Sequence, residues 1–230
     1  MPPRLVITAG PTHEPIDAVR YLGNRSSGRV GVSLADAGDA RGWQTTLLLG
    51  PGELKPSRPG VNLVRFRTCD DLRALLHTHV PEADVLIMAA AVADYRPKPL
   101  AALSGGKFRR TSEKLMLELE PTPDLIAERS ALREPGQYFV GFALEPREEM
   151  IASGLKKLER KRLDLVVANP LESMGADQIE AVALSKSGER IDTPGRISKP
   201  DFARWLLDVI EARAPRLGMA ESADRKDPRS

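Results

Sequence analysis

The sequence predicts an α/β fold: a mostly parallel sheet with helices on both faces, plus a flap and a C-terminal hairpin. Three observations predict it. Short apolar runs alternate along the chain with stretches of helical periodicity. Residues 84–91 (DVLIMAAA) are continuously apolar, as expected of a strand covered on both faces. Residues 5–31 give a strand, a glycine-bearing loop and a helix start in succession.

Composition sets the bounds. The chain has 230 residues, 41% hydrophobic and 29% charged, which describes a globular protein with a sizeable core. A formal charge of +2 gives no support for a nucleic-acid partner. The single Cys69 excludes an internal disulfide framework and a Cys-rich metal site. No apolar run reaches membrane-spanning length and no secretory leader pattern opens the chain, so a cytoplasmic protein is expected.

The first strand, Leu5-Val6-Ile7, breaks at Gly10-Pro11. A polar loop then reaches Asn24-Arg25-Ser26-Ser27-Gly28, and Val30, Leu34, Ala35 and Ala37 mark a helix. Amide groups at a helix start have no internal partners and attract anions. Ser26 and Ser27 are expected as caps, Gly28 and Gly31 as points of close ligand approach, and Arg20 and Arg25 as fixed charge. The same string also fits an ordinary crossover in which Asn and Ser only make turns. It matches neither GxxxxGK[ST] nor GxGxxG.

The helix ends near Gly42, and strands follow at 43–49 and 61–66. Thr68 or Asp70 caps a helix through Leu72, Leu75 and Leu76. Ligands in such folds bind beyond the carboxyl ends of the strands, so the Gly10 loop and the segment after Ala91 should face one crevice. Residues 98–114, rich in Lys, Arg, Pro and Gly, read as a basic flap. Residues 115–119 read as a strand, and Thr122 caps the helix that follows. Strands at 138–143 and 163–168 enclose a helix at 148–162, whose terminal cations also suit its dipole. Residues 178–184 and 189–192 form a hairpin, and 200–212 a last amphipathic helix. One domain is expected over 1–214, with a disordered tail at 215–230.

Several strings occur in order: GPTHEPIDAVRYLGNRSSG, AAAVADYRP, Lys107-Phe108-Arg109-Arg110, LELEPTPDLIAE, VGFALE and LDLVVAN. Together they resemble phosphopantothenate–cysteine ligase, the phosphopantothenoylcysteine synthetase of bacterial coenzyme A biosynthesis. The resemblance runs from about residue 5 to residue 210 and implies a Rossmann-like fold. It also implies a two-step amide synthesis. The carboxylate of 4'-phosphopantothenate attacks CTP, with Mg²⁺, to give an acyl-cytidylate, and cysteine then displaces CMP. ATP in place of CTP stays open. Asn24 matches a residue that handles the acyl-cytidylate, Lys107 a flap lysine of the first step, and Arg20 a substrate-side arginine. Ser27 and Gly28 are expected at phosphates. Met88, Ala89, Ala90, Asp94, Pro123, Asp124, Leu125, Ile126, Phe142, Lys157 and Lys161 match positions around the nucleotide. No metal ligands are assigned.

The sequence departs from the family where the flap reads K-F-R-R rather than K-x-K-K, and where Ala143-Leu144-Glu145-Pro146 replaces Ala-Ala-Glu-Thr. His13 stands where Arg is common. The resemblance further implies a homodimer, with the hairpin at 178–192 as a contact. It implies a free-standing synthetase or excised domain, accompanied in some organisms by a flavin-dependent decarboxylase. Two rivals are weighed: an NAD(P)-dependent oxidoreductase, and a non-catalytic nucleotide-binding module. The first wants an acidic residue at the end of the second strand, where Leu49-Gly50-Pro51 stands.

Overall fold

The computed structural model describes residues 1–98, 106–107, 114–214 and 217. Strand β1 (Arg4–Ala9) is followed by a hairpin of β2 (His13–Pro15) and β3 (Tyr21–Gly23), then helix α1 (Arg29–Ala40) and β4 (Gln44–Leu49). Next come β5 (Asn62–Arg65), α2 (Cys69–His79) and β6 (Val85–Met88). A second hairpin, β7 (Tyr95–Pro97) and β8 (Leu119–Pro121), leads into α3 (Leu125–Ala131), β9 (Tyr138–Glu145), α4 (Met150–Arg160) and β10 (Leu165–Pro170). The remaining elements are β11 (Gln178–Ile179), β12 (Val182–Ser185), β13 (Arg190–Asp192), β14 (Ile197–Ser198) and α5 (Lys199–Glu211).

Eight strands form one sheet in the order β13-β12-β10-β9-β6-β1-β4-β5. Six of them, β5 through β10 in that order, run parallel, while β12 and β13 extend the edge antiparallel. The expected fold class is thus borne out. Successive residues of β1 point to opposite faces: Leu5 and Ile7 pack with Leu34, Ala35, Phe202, Leu206 and Ile210, whereas Val6 packs with Leu72 and Leu76. Helices α1 and α5 therefore cover one face, and α2, α3 and α4 the other.

β1 lies between β4 and β6, and chain progression along the sheet reverses there. A crevice is expected outside the carboxyl ends at such a switch point. The two segments that leave there are tied together. Ala91 N–H donates to the Gly10 carbonyl (2.9 Å), Thr12 N–H to the Ala91 carbonyl (3.2 Å) and Ala93 N–H to Thr12 Oγ1 (3.0 Å).

Several local expectations are corrected. The loop before α1 contains the β2–β3 hairpin, with His13 stacked on Tyr21 at 3.6 Å between ring centroids. Neither Ser26 nor Ser27 caps α1; Gly28 does, at φ 75°, without a side-chain hydrogen bond. Gly31 lines the cleft as expected and also serves packing, since a Cβ there would lie 2.2 Å from Ala9 Cβ. Residues 115–118 do not form a strand; only Leu119–Pro121 pairs, with β7. Asp124, not Thr122, caps α3 by accepting from Ala127 N–H (3.3 Å), because Thr122 Oγ1 is engaged in donating to the Ala93 carbonyl (2.6 Å). The strand expected at 178–184 divides: β11 pairs with β14, and β12 with β13.

Leu217 is buried in the core, so packed chain extends past residue 214; the rest of the expected tail lies outside the described residues. The same is true of most of the flap, including Phe108-Arg109-Arg110. No described helix is long and apolar enough to cross a membrane.

Candidate active site at the carboxyl edge of the sheet

A cleft of about 880 Å³ opens over the switch point. Its floor is the carboxyl edge of the sheet, with Met88, Ala89 and Ala90 from the end of β6 and Phe142 from β9. Thr8, fully buried in β1, holds this floor: its Oγ1 donates to Met88 Sδ (3.6 Å) and accepts from Ala90 N–H (3.1 Å).

One flank is the start of α1, where Asn24, Ser27, Gly28 and Arg29 line the cleft. A Cβ on Gly28 would meet Gly10 N at 3.2 Å and Leu49 Cδ1 at 3.2 Å, so glycine allows both the positive φ and the close seat of α1 on β1. The first turn of α1 has no acidic residue and no side-chain cap. Its amide groups and dipole are available to an anion. The starts of α2 and α5 are occupied instead, by Thr68 with Asp71 and by Ser198. Asn24 Nδ2 donates to the Ala91 carbonyl at 2.9 Å. That bond fixes the amide beside the cleft and leaves its second hydrogen for a ligand.

The opposite flank comes from α3 and α4. Pro123, Asp124, Leu125 and Ile126 line it, with Lys157 and Lys161 projecting from α4 one turn apart. Lys161 Nζ pairs with Asp124 at 3.0 Å. Lys157 Nζ donates to the Phe142 carbonyl. Burial, then the neighbouring Lys161 charge, lowers the Lys157 pKa to about 8. These two lysines therefore do more than complement the helix dipole.

Among the predicted site residues, Asn24, Ser27, Gly28, Met88, Ala89, Ala90, Asp94, Pro123, Asp124, Leu125, Ile126, Phe142, Lys157 and Lys161 all line this cleft. Arg20 and Lys107 do not. The segments that carry them touch through Ala18 N–H, which donates to the Gly106 carbonyl at 3.4 Å, and Arg20 pairs with Asp17 at 3.6 Å. Sequence reasoning missed Arg160, Asn169, Ser173 and Lys199, which also line the cleft. Lys199 sits in the first turn of a helix after a stretch of hairpins, and no motif marked it.

No group of three or more potential metal ligands occurs among the described residues. The carboxylates lining the cleft are Asp94 and Asp124, and the latter is paired with Lys161. Mg²⁺ carried by a polyphosphate needs only one or two protein carboxylates. Exposed Asp94 fits that demand; no dedicated all-protein cage occurs among the described residues. Cys69 is buried at the start of α2, and burial raises its thiol to about 11, which suits a structural role.

None of the described lining residues comes from β4 or the loop after it, where a dinucleotide cofactor would place its adenosine ribose. There the Gly50 backbone lies close to Pro11: a Cβ on Gly50 would be 2.1 Å from the Pro11 carbonyl oxygen.

Residues 2–213 match the family model of the DNA/pantothenate metabolism flavoprotein C-terminal domain. A protein named cysteine/cysteine sulfinic acid decarboxylase, from an unknown prokaryotic organism, is 43% identical over 90% of this chain and 58% of its own length. The coenzyme A biosynthesis bifunctional protein CoaBC of Thermococcus kodakarensis is 35% identical over 90% of this chain and 51% of its own. The chain thus spans little more than half the length of these relatives. A crystal structure of the C-terminal domain of a CoaBC protein superposes with a TM-score of 0.77 at 32% identity, covering 91% of this chain and 94% of that one.

Proposed function

The chain belongs to the DNA/pantothenate metabolism flavoprotein C-terminal domain family, and from that premise we propose that it is a ligase of coenzyme A biosynthesis, joining 4'-phosphopantothenate to L-cysteine at the expense of CTP. The observation that supports it most is the cleft itself. It combines an uncapped helix start, a fixed side-chain amide at Asn24 and cations on two flanks. That is the equipment for activating an acid with a nucleoside triphosphate.

In the first step a carboxylate oxygen of 4'-phosphopantothenate attacks the α-phosphorus. The bond to the bridging oxygen breaks, and pyrophosphate leaves with the electron pair. Repulsion between two anions is the obstacle. The amides at the start of α1, with Ser27 and Gly28, offset it from one flank, and Lys157 and Lys161 hold the nucleotide from the other. Mg²⁺ entering with the triphosphate would be held by Asp94 and supplies further charge neutralisation. Lys107 is assigned to the α-phosphate in this step, although it is not among the described residues that line the cleft.

In the second step the free amine of cysteine attacks the acyl carbon. The C–O bond to CMP breaks, CMP carries off the electron pair, and the amine gives a proton to solvent. The developing oxyanion needs a neutral donor, the role given to the second amide hydrogen of Asn24. Arg20 is assigned to the phosphopantothenate end. Dimerisation and a separate decarboxylase partner belong to the same reading.

The decarboxylase name of one relative belongs to a protein of which 58% is matched. The oxidoreductase alternative is disfavoured because no described residue of β4 or the loop after it lines the cleft and Leu49-Gly50-Pro51 offers no acid there. A panel of CTP and ATP with phosphopantothenate and cysteine tests the proposal. CMP or AMP and pyrophosphate are expected in equal amounts, and Asn24→Asp should release pyrophosphate while the acyl-nucleotide accumulates. No monophosphate with either nucleotide would overturn the reading.

A further inference from the structure

Lys199 is a costly residue where it stands. It is only 6% exposed. It opens α5, where the helix dipole disfavours a cation. No ion pair or hydrogen bond from its ammonium group to any described residue is present. The charges that act on it are Arg29, which repels it, and Asp177, which Arg29 already holds at 2.6 Å. Burial and Arg29 together depress its pKa. Only Arg129 Nε is a fully buried, unpartnered side-chain nitrogen or oxygen among the described residues, so the Lys199 stem is buried while its ammonium reaches the cleft without a protein counter-charge.

The side chain lines the same cleft as Ser27, Gly28 and Arg29. α1 and α5 lie against each other on one face of the sheet, so Lys199 shares its flank with the uncapped start of α1. Two independent features of one flank therefore ask for an anion: open helix amides, and an unpaired cation carried into the cleft on a buried stem.

We propose that Lys199 is a phosphate anchor of the cleft, binding one phosphate group together with the amides that open α1. The inference rests on the ligase reading for the identity of the ligand. Two sources are compatible with it, the triphosphate of the nucleotide and the 4'-phosphate of phosphopantothenate. A phosphate at Lys199 satisfies the ammonium, offsets Arg29 and relieves the dipole penalty at once.

Wild type, Lys199→Met and Lys199→Arg are titrated calorimetrically with CTP, 4'-phosphopantothenate, inorganic pyrophosphate and cytidine, each alone. Lys199→Met should weaken CTP or 4'-phosphopantothenate about tenfold or more, as expected for a lost charged hydrogen bond. Which of them weakens identifies the source. Lys199→Arg should recover most of the loss, and cytidine binding should not change. The melting temperature of ligand-free Lys199→Met should equal or exceed that of wild type, because a cation repelled by Arg29 and by the α5 dipole is gone. A purely structural lysine would lower it and weaken all ligands alike, which overturns the proposal. So does Lys199→Met binding both phosphorylated ligands within twofold of wild type. If wild type makes no amide, the ligase reading fails separately, and the pyrophosphate arm still decides: reduced affinity in Lys199→Met upholds the anchor, unchanged affinity ends it.

Discussion

The two flanks of the cleft are both cationic, yet they treat their charges differently. On the α3–α4 flank each lysine has a protein partner: Lys161 pairs with Asp124, and Lys157 donates to the Phe142 carbonyl. On the α1–α5 flank the helix start carries neither acid nor cap, and Lys199 has no counter-ion among the described residues. A compensated flank gains less from an added anion and suits the less charged parts of a nucleotide. An uncompensated flank gains most from an anion. On the proposed reading, a phosphate sits at α1 and α5, with base and sugar toward α3 and α4.

The largest expected effect breaks the α1 flank. Gly31→Val puts a methine carbon where Ala9 Cβ is 2.2 Å away, so α1 must move off β1. Overpacking of this kind costs about 3 kcal/mol. For a chain of this size that is about 6–12 °C in melting temperature. Thermal denaturation reads it, and triphosphate affinity should fall with it, while the β12–β13 edge stays folded.

A smaller effect sharpens the α3–α4 flank through pH. Because its pKa is lowered to about 8, Lys157 loses its proton as pH rises through that value. Nucleotide affinity should fall about threefold between pH 7 and pH 9, the size expected of one solvent-screened charge. Lys157→Arg should flatten the profile, since a guanidinium stays charged. Stability of the unliganded protein moves the other way. From about pH 8 to the ordinary lysine range the unfolded chain keeps a proton that the folded chain has released, so this group makes stability rise with pH.

The smallest effect concerns the Asp124–Lys161 pair. Asp124→Asn keeps an N-cap for α3 but frees the lysine. Stability should drop by about 1 kcal/mol or less. Affinity for CTP should rise by less than affinity for CMP falls in Lys161→Met, as isothermal titration would show.

Much of this was legible in the sequence. Apolar runs such as 84–91 and the periodicity of α1 and α5 placed the parallel sheet and its covering helices, because burial on both faces leaves a continuous pattern. The strings around Asn24, Asp94 and Pro123 fall at one cleft because Asp94 follows β6 directly, while Asn24 and Pro123 follow the β2–β3 and β7–β8 hairpins that come after β1 and β6. What was not legible depends on contacts between distant segments. Gly31 meets Ala9 across the helix–strand interface, Thr122 is drawn to the Ala93 carbonyl, and β11 leaves its expected strand to pair with β14. Lys199 belongs to the same class: only the meeting of α1 and α5 turns an ordinary helix-start lysine into part of the cleft.

A crystal soaked with a non-hydrolysable nucleoside triphosphate and Mg²⁺ tests the central claim most directly. The account predicts phosphate oxygens within hydrogen-bonding distance of the Gly28–Val30 amides, with the base toward Phe142 and Asp124. A triphosphate lying instead against Lys157 and Lys161, with its base at α1, would contradict it.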